Sequence, residues 1–245
     1  MATSLKSPPK KRRLPYLLDI YGSDVGKKYA MAISGILAML FVFGHMLGNL
    51  HVFEGFDAAA GEFRIDEYGE ALRDIGEPLA PRTLLLWAFR LVMIVALVVH
   101  VHAAWALTVS NRRARGTERY DDQTYIAVNF ASRTMRWTGV IILLFLGFHL
   151  ADLTLGWTNP DFVRGHVYDN LLGSLSRWPV WLFYVVAQGA LALHLYHGAW
   201  SLFQSLGINN PSWNRYRRPF ATAFAALVVA GFLTVPVGVA TGLIS

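Results

Sequence analysis

Eight histidines occur in the chain, and seven of them (His45, His51, His100, His102, His149, His194 and His197) lie in long apolar stretches. Only His166 sits in a polar segment. An ionisable side chain inside a membrane is expensive and faces the interior of a helix bundle. A single buried histidine serves as an interhelical hydrogen bond. Four successive apolar stretches that each carry at least one histidine suit a ligand set better. Bis-histidine ligation of haem b takes neutral imidazoles that approach iron from two sides, so it draws them in pairs from facing helices. Four helices supply two pairs, and therefore two haems.

The elements that must position these imidazoles are plain in the charge pattern. Tyr29–Phe53, Leu91–Ser110, Trp178–Asn214 and Pro219–Ser245 contain no Asp, Glu, Lys or Arg. Trp137–Ala151 is a fifth such run, interrupted by Asp152 and continuing to Trp157. The chain is 54% hydrophobic, with a mean hydropathy of +0.38, beyond what a soluble domain carries. Crossing a bilayer takes roughly 20 apolar residues, and a spanning backbone must be helical or a closed barrel. The expectation is an all-α integral membrane protein of five spans. Residues 1–27 would form a mostly extended cytoplasmic arm, because Pro8, Pro9 and Pro15 interrupt it. Residues 28–245 would form the membrane domain, with spans 1 to 4 making a haem-binding bundle and span 5, which has no histidine, outside that arrangement.

A porphyrin pressed against a helix needs small residues one turn above and below the ligand. His194 shares its face with Ala187, Ala190, Gly198 and Ser201, although also with Leu191. His197 has Leu193 and Trp200 beside it. His100 shares its face with Ala96, Ala103 and Ala104, whereas His102 lies about 200° round the helix. His100 and His194 are therefore the better ligands. His102 and His197 stay open, because His102–Ala–Ala–Trp–Ala–Leu echoes His197–Gly–Ala–Trp–Ser–Leu. In span 1, His45 has Gly48 and Ala38 on its face, and His51 lies nearer the outer boundary, at the interface or a quinone site. His149 is the one candidate in span 3. Depth suggests the partners: counted from the ends of their spans, His45 and His149 form an outer pair, and His100 and His194 a pair nearer the cytoplasm.

Charge sets the orientation. The segments before span 1, between spans 2 and 3, and between spans 4 and 5 hold 16 Lys and Arg, against 5 in segments 54–82 and 158–177. Short positive loops stay in the cytoplasm, which places the N-terminus inside. Eight acids in segment 54–82 (Glu54, Asp57, Glu62, Asp66, Glu67, Glu70, Asp74 and Glu77) fit an outer loop. The basic run Lys10–Lys11–Arg12–Arg13 beside a membrane span follows from this topology and does not indicate nucleic acid. Residues 1–28 have no apolar core, so no cleavable signal peptide is expected. With no cysteine, the chain itself ligates no iron–sulfur cluster by Cys, forms no disulfide and attaches no haem covalently. Arg90, Arg133, Arg136 and Arg177 at the span ends are expected to snorkel to headgroups, or to pair with haem propionates. Asp152, three residues after His149, would bond a histidine or relay protons. Trp87, Trp157 and Trp178 suit the interfacial belt.

Gly26–Lys27–Lys28 with Ala32–Ile33–Ser34–Gly35 and Gly44–His45–Met46–Leu47–Gly48–Asn49–Leu50 resembles the first helix of the b558-type di-haem cytochrome b family, the membrane anchors of succinate dehydrogenase. Ser132–Arg133–Thr134–Met135–Arg136–Trp137–Thr138–Gly139, leading to Phe148–His149–Leu150, resembles its third helix. His194–Leu195–Tyr196–His197–Gly198 with Gln204–Ser205–Leu206–Gly207 resembles its fourth. His100, eleven residues before Asn111–Arg112–Arg113–Ala114–Arg115, is spaced like its second-helix ligand. The likeness covers spans 1 to 4, about three quarters of the chain.

The resemblance implies a subunit of the cell's inner (cytoplasmic) membrane that binds a flavoprotein and an iron–sulfur protein. The flavoprotein would oxidise succinate. Electrons would reach the inner haem (His100, His194), then the outer haem (His45, His149), and finally a quinone in the lipid. Two other classes compete. Another di-haem anchor, such as the five-helix membrane subunit of a respiratory nitrate reductase, draws its ligands from fewer helices. A haem-free transporter with histidine proton relays would have broken helices or midplane substrate groups. Variants His45→Ala and His100→Ala are expected to remove different haems in reduced-minus-oxidised spectra; loss of the same haem in both would refute the pairing.

Overall fold

The computed structural model of the protein describes residues 15–115, 126–208 and 210–245. Hydrocarbon offers the backbone no hydrogen-bond partners, so each apolar run closes its own ladder as a helix. The described residues are overwhelmingly helical, with two strands of two residues each. In order come α1 (Tyr16–Gly22), α2 (Asp24–Asn49), a 3₁₀ turn at Leu50–Glu54, the two-residue strands β1 (Phe56–Asp57) and β2 (Glu62–Phe63), α3 (Arg64–Asp74), α4 (Leu84–Arg115), α5 (Ile126–Leu153), α6 (Val167–Leu175), α7 (Trp178–Ser205) and α8 (Pro211–Ala240). Among the described residues, five helices (α2, α4, α5, α7 and α8) are long and apolar enough to span a membrane. The chain is an all-α, multi-pass membrane protein.

Several boundaries exceed the uncharged runs. α4 begins at Leu84 and takes in Arg90, whose guanidinium lies 4.9 Å from the Trp87 ring. α8 begins at Pro211, where a proline at the first helical position has no N–H to lose, and it carries Pro219 internally. Where an extended arm is expected, residues 16–22 form a two-turn helix. Residues 1–14, including the basic run at 10–13, lie outside the described set. α1 turns into α2 through Ser23, whose hydroxyl accepts from the Gly26 N–H at 2.9 Å and donates to the Ile20 carbonyl at 2.7 Å. A Cβ at Gly26 would run into that same carbonyl, so the turn requires glycine there.

Lateral packing runs in the order α4–α2–α7–α5, and α8 lies behind α2 and α7. Gly231 of α8 leaves the space that Met46 of α2 fills. The Trp181 indole of α7 donates to the Pro236 carbonyl of α8 at 2.7 Å. Near the other end of α8, Arg217 is buried and donates to the Ile208 carbonyl. α4 and α5 end the row, and a groove of 420 Å³ between them is lined by Leu97, Val98, Val101, His102, Trp105 and Leu143.

One end of the bundle, where α2, α5 and α8 terminate, is closed by a small cap. Phe56 and Asp57 pair with Phe63 and Glu62, and the Phe63 ring stacks on Tyr168 at 3.7 Å. Buried Asp66 of α3 accepts from the Tyr168 N–H of α6 at 2.9 Å. Val52, Ile65, Leu171, Leu175, Tyr184, Val235 and Ile244 complete the apolar core beneath.

Asp152 ties this cap to the spans. Its side chain is fully buried and accepts from Thr158 Oγ1 at 2.9 Å, from Arg177 Nη2 at 2.7 Å and from the Ser174 hydroxyl. None of these partners is a histidine. Arg177 also donates to the Thr158 carbonyl at 2.6 Å, so it turns inward where snorkelling was expected. The cluster fixes the end of α5, the loop after it, α6 and the start of α7. Removing one partner of a buried ion pair leaves the other uncompensated. Asp152→Ala is expected to destabilise the folded protein by about 3 kcal/mol, read as a lowered thermal midpoint in detergent.

Candidate functional site: two histidine pairs across the bundle

The order α4–α2–α7–α5 folds into a four-helix square in which α2 and α5 are diagonal, and so are α4 and α7. Histidines meet across both diagonals. His45 of α2 and His149 of α5 have ring centres 5.8 Å apart at an interplanar angle of 83°. His100 of α4 and His194 of α7 are 6.3 Å apart at 59°. Eleven residues separate Ser34, which touches His100, from His45. Eleven also separate Thr138, which touches His194, from His149. Both helices therefore give the same spacing of about 16 Å between the two levels. The His45–His149 pair is nearer the cap.

Each level has its own set of partners. His100 Nδ1 lies 3.2 Å from Ser34 Oγ and 3.2 Å from the Met31 carbonyl. A carbonyl only accepts, so Nδ1 carries the proton and Nε2 keeps its lone pair. Ser34 sends its own proton to the Ala30 carbonyl at 2.7 Å, which leaves its oxygen free to accept. His194 repeats the arrangement on the other side. Its Nδ1 is 3.3 Å from Thr138 Oγ1, whose proton goes to the Met135 carbonyl at 3.1 Å. His149 Nδ1 meets the Tyr184 hydroxyl at 3.1 Å, and Phe145 packs 5.6 Å from its ring. His45 is stacked on Phe41 at 5.4 Å. Small residues surround the deeper pair: Ala96, Ala103, Ala187 and Ala190 are buried, while Gly35 and Gly139 face the His100 and His194 rings.

The remaining histidines stand elsewhere. His102 is exposed on the lipid side of α4, its Nδ1 2.5 Å from the Tyr21 hydroxyl of α1. His197 packs against Trp200, and its buried Nδ1 has no hydrogen-bond partner among the described residues. His51 lies in the cap, 2.9 Å from Glu54 and stacked on Tyr68 at 4.7 Å. Arg136 is exposed, and the Arg133 side chain lies outside the described set.

This donor set can hold haem. Among the described residues no three His, Asp or Glu side chains cluster as a metal site; the chain offers two imidazoles at each of two places. Two axial imidazoles complete an iron whose other positions are filled by a macrocycle. With metal–imidazole bonds of about 2 Å and roughly 1 Å from nitrogen to ring centre, such imidazoles have centres about 6 Å apart. The deeper pair has Nδ1 engaged, as ligating histidines do, which leaves the Nε2 lone pair available to a metal.

Ser34, Thr138 and Tyr184 are the side chains against these histidines that a count of histidines passes over. A repeat could have revealed two of them: Met31, Ser34, Gly35, Phe41 and His45 recur at identical spacing as Met135, Thr138, Gly139, Phe145 and His149. His102→Leu is expected to release α1, since the bond to Tyr21 is worth about 1 kcal/mol; amide exchange over residues 16–22 should speed several-fold. Compared with family models, curated proteins and solved structures, the chain matches none.

Proposed function

We propose that the chain is the membrane-anchor cytochrome b subunit of a succinate:quinone oxidoreductase, holding two b haems between a partner iron–sulfur protein and membrane quinone. The observation that supports this most is the pair of histidine contacts, one on each diagonal of a four-helix square and at two depths. The succinate-oxidising flavoprotein, the iron–sulfur partner and the quinone come from the resemblance of spans 1 to 4. A proton-relay transporter has no need for imidazoles matched two by two across the same bundle.

His100 and His194 would hold the inner haem, and His45 and His149 the outer one. Bound there, haem b supplies a reversible one-electron iron couple. The chain's own residues do the rest. Ser34 and the Met31 carbonyl keep the His100 proton on Nδ1, so that Nε2 would be available to a metal as a neutral base. Thr138 serves His194 and Tyr184 serves His149. A separation of about 16 Å along α2 divides a core roughly 30 Å thick into short electron transfers. The charge asymmetry of the loops puts the N-terminus in the cytoplasm and the cap outside the inner membrane. The inner pair then lies nearer a cytoplasmic iron–sulfur protein, and the outer pair beneath the cap.

Pyridine-haemochrome analysis of the purified complex is expected to give about two b haems per chain, and one after His194→Ala. A colourless protein would return the histidines to a proton-relay or structural role.

A further inference from the structure

We propose that Ser34–Gly35 and Thr138–Gly139 are two copies of one seat for the inner imidazoles, and that they set the redox potential of the inner centre alone. This rests on the reading that the inner pair holds haem. The hydroxyls and glycines belong to α2 and α5, whereas the imidazoles they touch belong to α4 and α7. Each half of the chain therefore contributes a seat on its first helix and an imidazole on its second.

Four features of the seat are the same in both copies. The hydroxyl sits beside the imidazole Nδ1, at 3.2 Å for Ser34 and 3.3 Å for Thr138. Its own proton is spent on a carbonyl of its own helix, Ala30 for Ser34 and Met135 for Thr138, so it can only accept from the ring. Both hydroxyl residues are buried. The following glycine leaves the ring its place: a Cβ would stand 3.5 Å from His100 Cε1 at Gly35 and 3.6 Å from His194 Cε1 at Gly139. A methyl fits there in ordinary contact, and a longer side chain would displace the imidazole. The outer pair has no such seat, because His149 meets a phenol from α7.

The consequence follows from ligand basicity. An Nδ1–H that donates to an oxygen makes Nε2 a stronger donor to the metal, which favours the oxidised iron and lowers its potential. Ser34 and Thr138 are positioning residues in this scheme. They touch neither iron nor substrate.

The test is a redox titration of the purified full complex, with low-spin electron paramagnetic resonance of both centres, for wild type, Ser34→Ala and Thr138→Val. In each variant the inner centre is expected to rise in potential and to change its low-spin signal, while the outer centre stays as in wild type. Ser34→Thr and Thr138→Ser should restore wild-type values. Gly139→Ala should keep both haems, and Gly139→Leu should lose the inner one. Two haems with unchanged inner potential and signal in both hydroxyl variants would overturn the seat and leave the proposed function intact. So would loss of both haems in both variants, because a seat specific to the inner pair spares the outer. A wild-type complex without haem would overturn the proposed function and the seat with it.

Discussion

A neutral imidazole placed in hydrocarbon keeps one N–H that must donate and one nitrogen that must accept, and lipid supplies neither partner. The architecture follows from meeting that demand repeatedly. The deeper histidines place Nδ1 against a hydroxyl of the neighbouring helix and, for His100, a backbone carbonyl as well. His149 uses a phenol, and His102 takes the hydroxyl of Tyr21 on the outer side of the bundle. Once Nδ1 is engaged, the other nitrogen is committed to whatever lies across the diagonal. Orientation, tautomer and depth are thus fixed by the same few contacts.

The same economy governs the capped end. Asp152 is a carboxylate buried one turn from His149, and it survives there because Arg177, Ser174 and Thr158 surround it. Those three residues come from the next loop, α6 and the start of α7. A charge that would otherwise be costly beside the spans becomes the knot that holds α5 to α7. Tyr184 stands two turns along α7 from that knot, which is how a phenol reaches His149.

The five spans were legible because charge is excluded from them. That His100 rather than His102 faces into the bundle was legible because three alanines share its face, and the structure buries two of them, Ala96 and Ala103. α1 was not legible: prolines dominate its neighbourhood, and its helix is braced by a tertiary bond from Tyr21 to a residue 81 positions away. Arg177 was misread because a cation at a span end ordinarily reaches for headgroups, and only the fold shows the buried acid beside it. The hydroxyl seats were not legible, since their partners lie on other helices and no local pattern announces which ring they meet.

The division of each histidine pair between the two halves of the chain bears on how the protein is made. His45 and His100 enter the membrane with the first helical hairpin, and His149 and His194 with the second. Neither hairpin contains a matched pair. A nascent chain that stalls after α4 has two imidazoles with no counterpart, the first diagonal is completed only when α5 has been inserted, and the second waits for α7. Both diagonals are therefore matched only in a chain whose fourth span has been inserted, and a chain truncated before α7 leaves His100 without its counterpart.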